Sequence, residues 1–152
     1  NYSNEALSFQ RIMIMKILNA RGIETKPVSH KEYKKELCSS RIALSPFGYG
    51  EICYRDFEIM LSGSSLFKAS MDHLKTYPDI YDDNVTYISF KWDFTDFDEK
   101  VDYLSKNTDL VKEIAHRAQE KYISFFSENG QEFFCKYYKE LLEKAITSPR
   151  SS

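Results

Sequence analysis

Residues 42–63 constrain this chain more than any other stretch. They read Ile42-Ala43-Leu44-Ser45-Pro46-Phe47-Gly48-Tyr49-Gly50-Glu51-Ile52-Cys53-Tyr54-Arg55-Asp56-Phe57-Glu58-Ile59-Met60-Leu61-Ser62-Gly63. The apolar run at 42–44 predicts a short strand. Two glycines follow, and then a predicted helix over 51–62 that starts at a carboxylate and stops at Gly63. A strand, a glycine loop and a helix N-terminus together make an anion site. Glycine lets the backbone come close to a ligand, and the first free N–H groups of the helix point at it. The ligand class this suggests is a phosphate or a diphosphate.

The flanking sequence supplies the rest of an α/β pattern. Leu7, Phe9, Ile12, Met13, Ile17 and Leu18 recur at helical intervals over residues 6–20, and Arg21-Gly22 ends that helix. Residues 23–28 read as a strand. Ser29-His30-Lys31-Glu32 is a capping box that opens a helix through about residue 39. Further strands are expected at 41–45, 64–69 and 85–91, with an irregular segment between the last two. After residue 91 the chain turns helical. Thr95-Asp96-Phe97-Asp98 forms one cap and Thr108 another, Asn129-Gly130 stops the long helix, and a last amphipathic helix runs to residue 145. This alternation predicts the α/β class: a Rossmann-like parallel sheet of about four strands with flanking helices and a helical C-terminal part. The expected organisation is a single domain over 1–146 and a flexible tail over 147–152. In such sheets ligands bind at the carboxyl ends of strands, at a topological switch point. The loop after Leu44 and the segment after Ala69 lie at such ends.

Composition narrows the partners. The net charge is −2 with 29% charged residues, which gives no basis for long-range attraction to nucleic acid. Aromatic residues make up 15% of the chain, which argues against disorder. Cys38, Cys53 and Cys135 lie far apart with no C-x-x-C, so buried reduced thiols and a cytoplasmic location are expected. No apolar run reaches the ~18 residues of a membrane helix, so no transmembrane segment is expected. No signal-peptide pattern is seen. The chain opens at Asn1 rather than Met, which reads as a fragment of a longer protein or a processed one.

On a helix over 51–62, Glu51, Arg55, Glu58 and Ser62 share one face within about 60°. The bland reading is a solvated ridge of Glu51–Arg55 and Arg55–Glu58 ion pairs. The functional reading starts from the glycine loop. A carboxylate one or two turns into the helix can accept from a vicinal diol, as a ribose is held in other nucleotide-binding sheets. Phosphate at the helix start and ribose at Glu58 define a nucleoside diphosphate. Lys68 ends an apolar strand at the same edge, as a phosphate contact or a snorkelling lysine. His30, His73 and His116 are isolated, so no metal site is expected. Asp82-Asp83-Asn84 reads as a turn. Phe125-Phe126 and Phe133-Phe134 read as packing residues.

These residues also carry a family resemblance. Val28-Ser29-His30-Lys31-Glu32-Tyr33, Cys38-Ser39-Ser40-Arg41-Ile42-Ala43-Leu44-Ser45-Pro46, Gly48-Tyr49-Gly50 and Phe57-Glu58-Ile59-Met60-Leu61-Ser62-Gly63 resemble the C-terminal, nucleotide-sugar-binding half of GT-B-fold, group 1 glycosyltransferases. That family's pattern runs V-x-H-x-E, a strand ending in S or P-S, E-G-F-G, then L-E-A-M-A-x-G. The resemblance covers residues 23–69, and more weakly the helices after 95. It implies that Glu58 binds the ribose hydroxyls of the donor. It places Gly48, Tyr49 and Gly50 against the diphosphate, and Val28 with its following residue beside the base. One departure matters. The spacing of the family's first glutamate lands on Gly50, and the nearest acid, Glu51, is displaced. Either the loop is remodelled, or the role near the donor sugar is lost or moved and Arg55 serves the diphosphate. Glu51 and Arg55 are therefore the candidate catalytic residues, with Lys68 joining the nucleotide-sugar contacts. The implied activity is glycosyl transfer from a nucleoside-diphosphate sugar, with no metal. The acceptor would bind in an N-terminal domain absent from these residues, so the chain alone would turn over poorly or not at all. The alternative is a non-catalytic nucleotide-binding or protein-interaction domain with the same layers. A flavodoxin-type signalling domain ranks lower, because residues 23–28 end in Lys26-Pro27-Val28 rather than an acidic pair.

Overall fold

A computed structural model describes residues 5–147. The elements run α1 (Glu5–Ala20), α2 (His30–Ser39), β1 (Ile42–Leu44), α3 (Tyr54–Ser62), β2 (Ser65–Ala69), β3 (Ile88–Phe90), α4 (Phe97–Lys106), α5 (Thr108–Ser124) and α6 (Glu128–Thr147). The tail expected at 147–152 is corrected at its first residue, since Thr147 is the last residue of α6, and residues 148–152 lie outside the described residues.

The three strands form a Rossmann-like parallel sheet in the order β1-β2-β3, in the register Ala43↔Leu66, Leu44↔Phe67 and Lys68↔Ser89. This corrects the expectation of four strands. Residues 23–28 are not a strand. Pro27 has no N–H to donate to a ladder, and Ile23 and Val28 stay 45% and 43% exposed. The strand order also runs one way, with no reversal among the described residues. The candidate site therefore sits at the carboxyl ends of the strands but at no switch point.

Strand alternation feeds two cores. Phe67 and Ala69 of β2, with Ile88 and Phe90 of β3, face Ile14, Phe97, Leu104, Val111 and Ile114. Leu66 faces the opposite way, onto Leu37, Ile59, Met60, Met71, Ile80 and Tyr87. Both faces of β2 are buried, as a central parallel strand requires. Ser65 Oγ donates to the Val111 carbonyl at 2.6 Å and ties β2 to α5.

Several local signals act as expected. Ser29 and Glu32 close a reciprocal capping box at the start of α2. Gly63 caps α3 in the left-handed region at φ 79°, and Gly22 does the same after α1 at φ 72°. Others shift. Asn107 rather than Thr108 is the residue before α5. Asn129-Gly130 does not stop a helix but lies in the first turn of α6, where Ser127 Oγ accepts from the Gly130 N–H at 3.1 Å. A Cβ on Gly130 would meet the Ser124 carbonyl oxygen at 2.5 Å, so glycine is required for the close approach of the two helix ends. The three thiols are free, but none is buried: Cys38 and Cys135 are exposed and Cys53 is half-buried. Among the described residues no helix is long and apolar enough to cross a membrane.

Candidate functional site

The start of α3 is set by a buried charge. The helix begins at Tyr54, with Cys53 in extended conformation before it. Asp56, in the first turn, accepts from the Cys53 N–H at 3.1 Å and so fixes where the helix can start. The same carboxylate accepts from the Ser45 hydroxyl, from the Tyr81 hydroxyl at 2.6 Å and from Lys68 Nζ at 3.3 Å. Asp56 is 0% and Lys68 2% exposed, and Lys68 also donates to the Ser45 carbonyl at 3.3 Å. One network thus joins the end of β1, the start of α3, β2 and the segment before β3.

Tyr81 reports on that network. Burial, then the Asp56 carboxylate, pushes its hydroxyl well above the ordinary phenol range. Tyr87 accepts from the Met71 N–H at 3.0 Å, and burial pushes its hydroxyl up to about 12. Both folded values exceed the unfolded one. The neutral phenols therefore contribute their full stability below about pH 10, and that share is lost as pH rises through the folded values. Thermal unfolding followed from about pH 8 to about pH 12 is expected to show a falling Tm in the upper part of that range. Tyr81→Phe should flatten the fall.

Above the network lies a cleft of about 510 Å³. It is lined by Arg11 of α1, His30 and Tyr33 of α2, Gly48, Tyr49 and Gly50 of the loop, and Arg55 and Glu58 of α3. The loop is folded on itself, with the Gly48 N–H donating to the Gly50 carbonyl at 3.1 Å. A Cβ on Gly50 would meet nothing closer than the Ile52 carbonyl at 4.0 Å, and its φ is not positive. The fold does not demand glycine there, which leaves open space against the backbone. The amides of Tyr54 and Arg55 precede the internal ladder of α3, so they are available as donors at the positive end of the helix.

Tyr33 donates its hydroxyl to Glu58 Oε2 at 2.9 Å. Burial, then the Glu58 carboxylate, raises the Tyr33 hydroxyl, and Arg55 pulls it the other way. Tyr33 therefore neighbours both Glu58, whose carboxylate it holds in place, and Arg55, and all three line the cleft. The His30 and Tyr33 rings stack at 6.3 Å with planes 21° apart.

The structure brings Gly48, Tyr49, Gly50, Arg55 and Glu58 together around this cleft. It places three other candidates elsewhere. Glu51 precedes α3 instead of standing on its ridge, and bonds His73 Nε2 at 2.6 Å rather than Arg55. Lys68 is enclosed in the ion pair with Asp56. Val28 is exposed and is not among the cleft-lining residues, although His30 is. Sequence reasoning missed Asp56, Tyr33 and Tyr81. A carboxylate at the third position of a helix beside a lysine in an otherwise apolar strand was a signal for the first. No sequence signal pointed to the two tyrosines. Among the described residues, no three His, Cys, Asp or Glu side chains are placed to hold a metal ion.

A search of curated proteins returns no match. The sequence model of the glycosyl transferase-like family matches residues 18–129, which include α2, the glycine loop, α3, the whole sheet, α4 and α5. Every candidate residue described above except Arg11 falls inside that span. Spanning most of the chain and its cleft, this match shows that the chain belongs to the glycosyl transferase-like family.

Proposed function

We propose that this chain is the donor-binding part of a glycosyltransferase and holds a nucleoside-diphosphate sugar in the cleft. The observation that carries the reading is that the glycine loop, the first residues of α3, Arg55 and Glu58 line one cleft. The diphosphate lies along Gly48, Tyr49 and Gly50, where backbone amides and the guanidinium meet its charge. The ribose hydroxyls donate to Glu58, which Tyr33 orients. The base stacks against the His30 and Tyr33 rings. Family membership supports glycosyl transfer in general, and the cleft supplies the donor side of it. In the transfer, the bond between the anomeric carbon and the diphosphate oxygen breaks, and the acceptor hydroxyl oxygen bonds that carbon. The nucleoside diphosphate leaves with the electron pair, and the acceptor's hydroxyl proton passes to the freed phosphate oxygen or to water. Fixed amides and Arg55 stabilise that developing charge, which is electrostatic assistance to a leaving group. The acceptor belongs to a second, N-terminal domain of a GT-B arrangement. Three free thiols fit a cytoplasmic location.

Arg55→Ala tests the assignment of the diphosphate. The variant is expected to weaken UDP or GDP about tenfold, and UMP or GMP less, because a charge-assisted contact to the second phosphate is lost. Equal weakening of mono- and diphosphates would move Arg55 away from the second phosphate.

A further inference from the structure

All three strands release their loops at one place, and the side chains that meet there belong to neither buried core. Phe47 and Glu51 come from the loop after β1, His73 from the segment after β2, and Trp92 from the turn after β3. His73 pairs with Glu51 at 2.6 Å, and its ring meets the indole of Trp92 edge-on, with centroids 5.7 Å apart and planes at 73°. Phe47 lies 5.6 Å from the same indole. The indole N–H donates to the Ser70 carbonyl at 2.8 Å, which fixes the ring in orientation. Yet Trp92 remains 39% exposed, and the side chains of His73 and Glu51 remain 47% and 37% exposed.

Beneath this cluster Gln10 of α1 is 2% exposed. Its Oε1 accepts from the Phe47 N–H at 2.8 Å, which assigns the amide's orientation, and its Nε2 has no hydrogen-bond partner among the described residues. Gln10 packs with Phe47, Glu51 and Trp92 around a recess with no room for a water molecule, and so supports the cluster from below.

Stability does not account for the arrangement. An exposed Glu–His contact contributes at most about 1 kcal/mol, and an indole held partly in water forgoes burial. A rigid aromatic face beside a carboxylate and an imidazole does suit a pyranose. The C–H face of a sugar ring packs on an aromatic ring, and its hydroxyls donate to carboxylate and imidazole acceptors. The position suits it too. Gly50 lines the cleft, and Glu51 is the next residue. A donor with its ribose at Glu58 and its diphosphate at the glycine loop projects its sugar past Gly50, toward Glu51.

Resting on the donor-binding reading above, we propose that Trp92, His73 and Glu51 form the subsite for the sugar carried by the nucleotide. Trp92 covers the apolar face of the ring, and the Glu51–His73 pair takes its hydroxyls. The displaced Glu51 thereby acts together with a histidine from a second loop.

The test is calorimetric titration of the full chain with UDP and UDP-glucose, and with GDP and GDP-mannose, using the pair that binds. The readout is the ratio of the two Kd values, sugar nucleotide over free diphosphate. Trp92→Ala is expected to raise that ratio about tenfold with the diphosphate Kd unchanged, a loss of about 1.4 kcal/mol confined to the sugar. His73→Gln should shift it in the same direction, and Trp92→Phe should restore most of it. Circular dichroism confirms folding, and His73→Gln decides the matter if Trp92→Ala does not fold. An unmoved ratio, equal weakening of both ligands, or wild type that binds a diphosphate and neither sugar form overturns the subsite alone. Wild type that binds no nucleotide overturns the donor-binding reading and this proposal with it.

Discussion

Replacing Asp56 by alanine is expected to destabilise the fold by about 3–5 kcal/mol, the range for breaking a buried ion pair by removing one partner. The carboxylate is fully buried and accepts from four groups: the Cys53 N–H, Ser45, Tyr81 and Lys68. Its removal leaves the Lys68 ammonium enclosed with, among the described residues, only the Ser45 carbonyl as acceptor. It also frees the backbone amide that sets the start of α3. Against a total stability of about 5–15 kcal/mol for a domain this size, the variant sits near its unfolding threshold. Urea unfolding gives the number, read as a shift in midpoint at constant slope. The double variant Asp56→Leu with Lys68→Met should recover much of the loss, since replacing both charges leaves no unpaired ion. A single variant within about 1 kcal/mol of wild type would mean that Lys68 finds another acceptor or reaches water. A functional consequence follows from the same contacts. Asp56 ties Ser45 to the first turn of α3, and these two points bracket the glycine loop. A folded Asp56 variant, held below its unfolding temperature, should therefore bind nucleotide more weakly than wild type although Asp56 does not line the cleft.

Phe67→Ala is the second large effect, expected at about 3–5 kcal/mol for a fully buried phenylalanine. Phe67 stands on the central strand at 1% exposure. Its ring meets Phe90 at 4.9 Å and Phe97 at 5.2 Å, so the substitution opens a cavity where β2, β3 and α4 join. The two ring pairs add specific geometry to the lost burial, each about 0.5–1.5 kcal/mol. Phe67→Leu keeps most of the volume and loses the ring contacts, so it should cost less than half as much as the alanine variant. A loss from Phe67→Ala below about 1 kcal/mol would show that the site collapses around the missing ring. The two variants also differ in what they disturb. Phe67 holds the face of the sheet away from the cleft, so its loss should lower Tm more than it lowers nucleotide affinity in the folded state.

Local signals made most of the fold legible. Ser29 with Glu32, Gly22 and Gly63 each act within one helix turn, where backbone geometry alone decides the outcome. The misses came where tertiary contacts decide. Residues 23–28 carry strand-forming residues, yet Pro27 and the lack of a neighbouring strand leave them unpaired. Glu51 had the right type and spacing for a helical ridge, but Asp56 moved the helix start to Tyr54 and left Glu51 in the loop. Asn129-Gly130 carried a stop signal, and Ser127 turned it into a start by accepting the Gly130 N–H. The same contrast runs through the site. Gly48, Tyr49, Gly50, Arg55 and Glu58 share one short segment, so their convergence was legible. Tyr33 arrives from α2, Tyr81 from the segment before β3, and Lys68 turns inward to a charge. Those positions depend on contacts between elements far apart in sequence, which no local pattern encodes.

The most direct measurement is calorimetric titration of the chain with UDP and GDP, alongside Glu58→Ala. A bound diphosphate whose affinity falls at least about tenfold in the variant, a loss of about 1.4 kcal/mol, is the predicted result for a charged acceptor removed from the ribose hydroxyls. Folded wild type that binds neither nucleotide, or binding that Glu58→Ala leaves unchanged, would contradict the account.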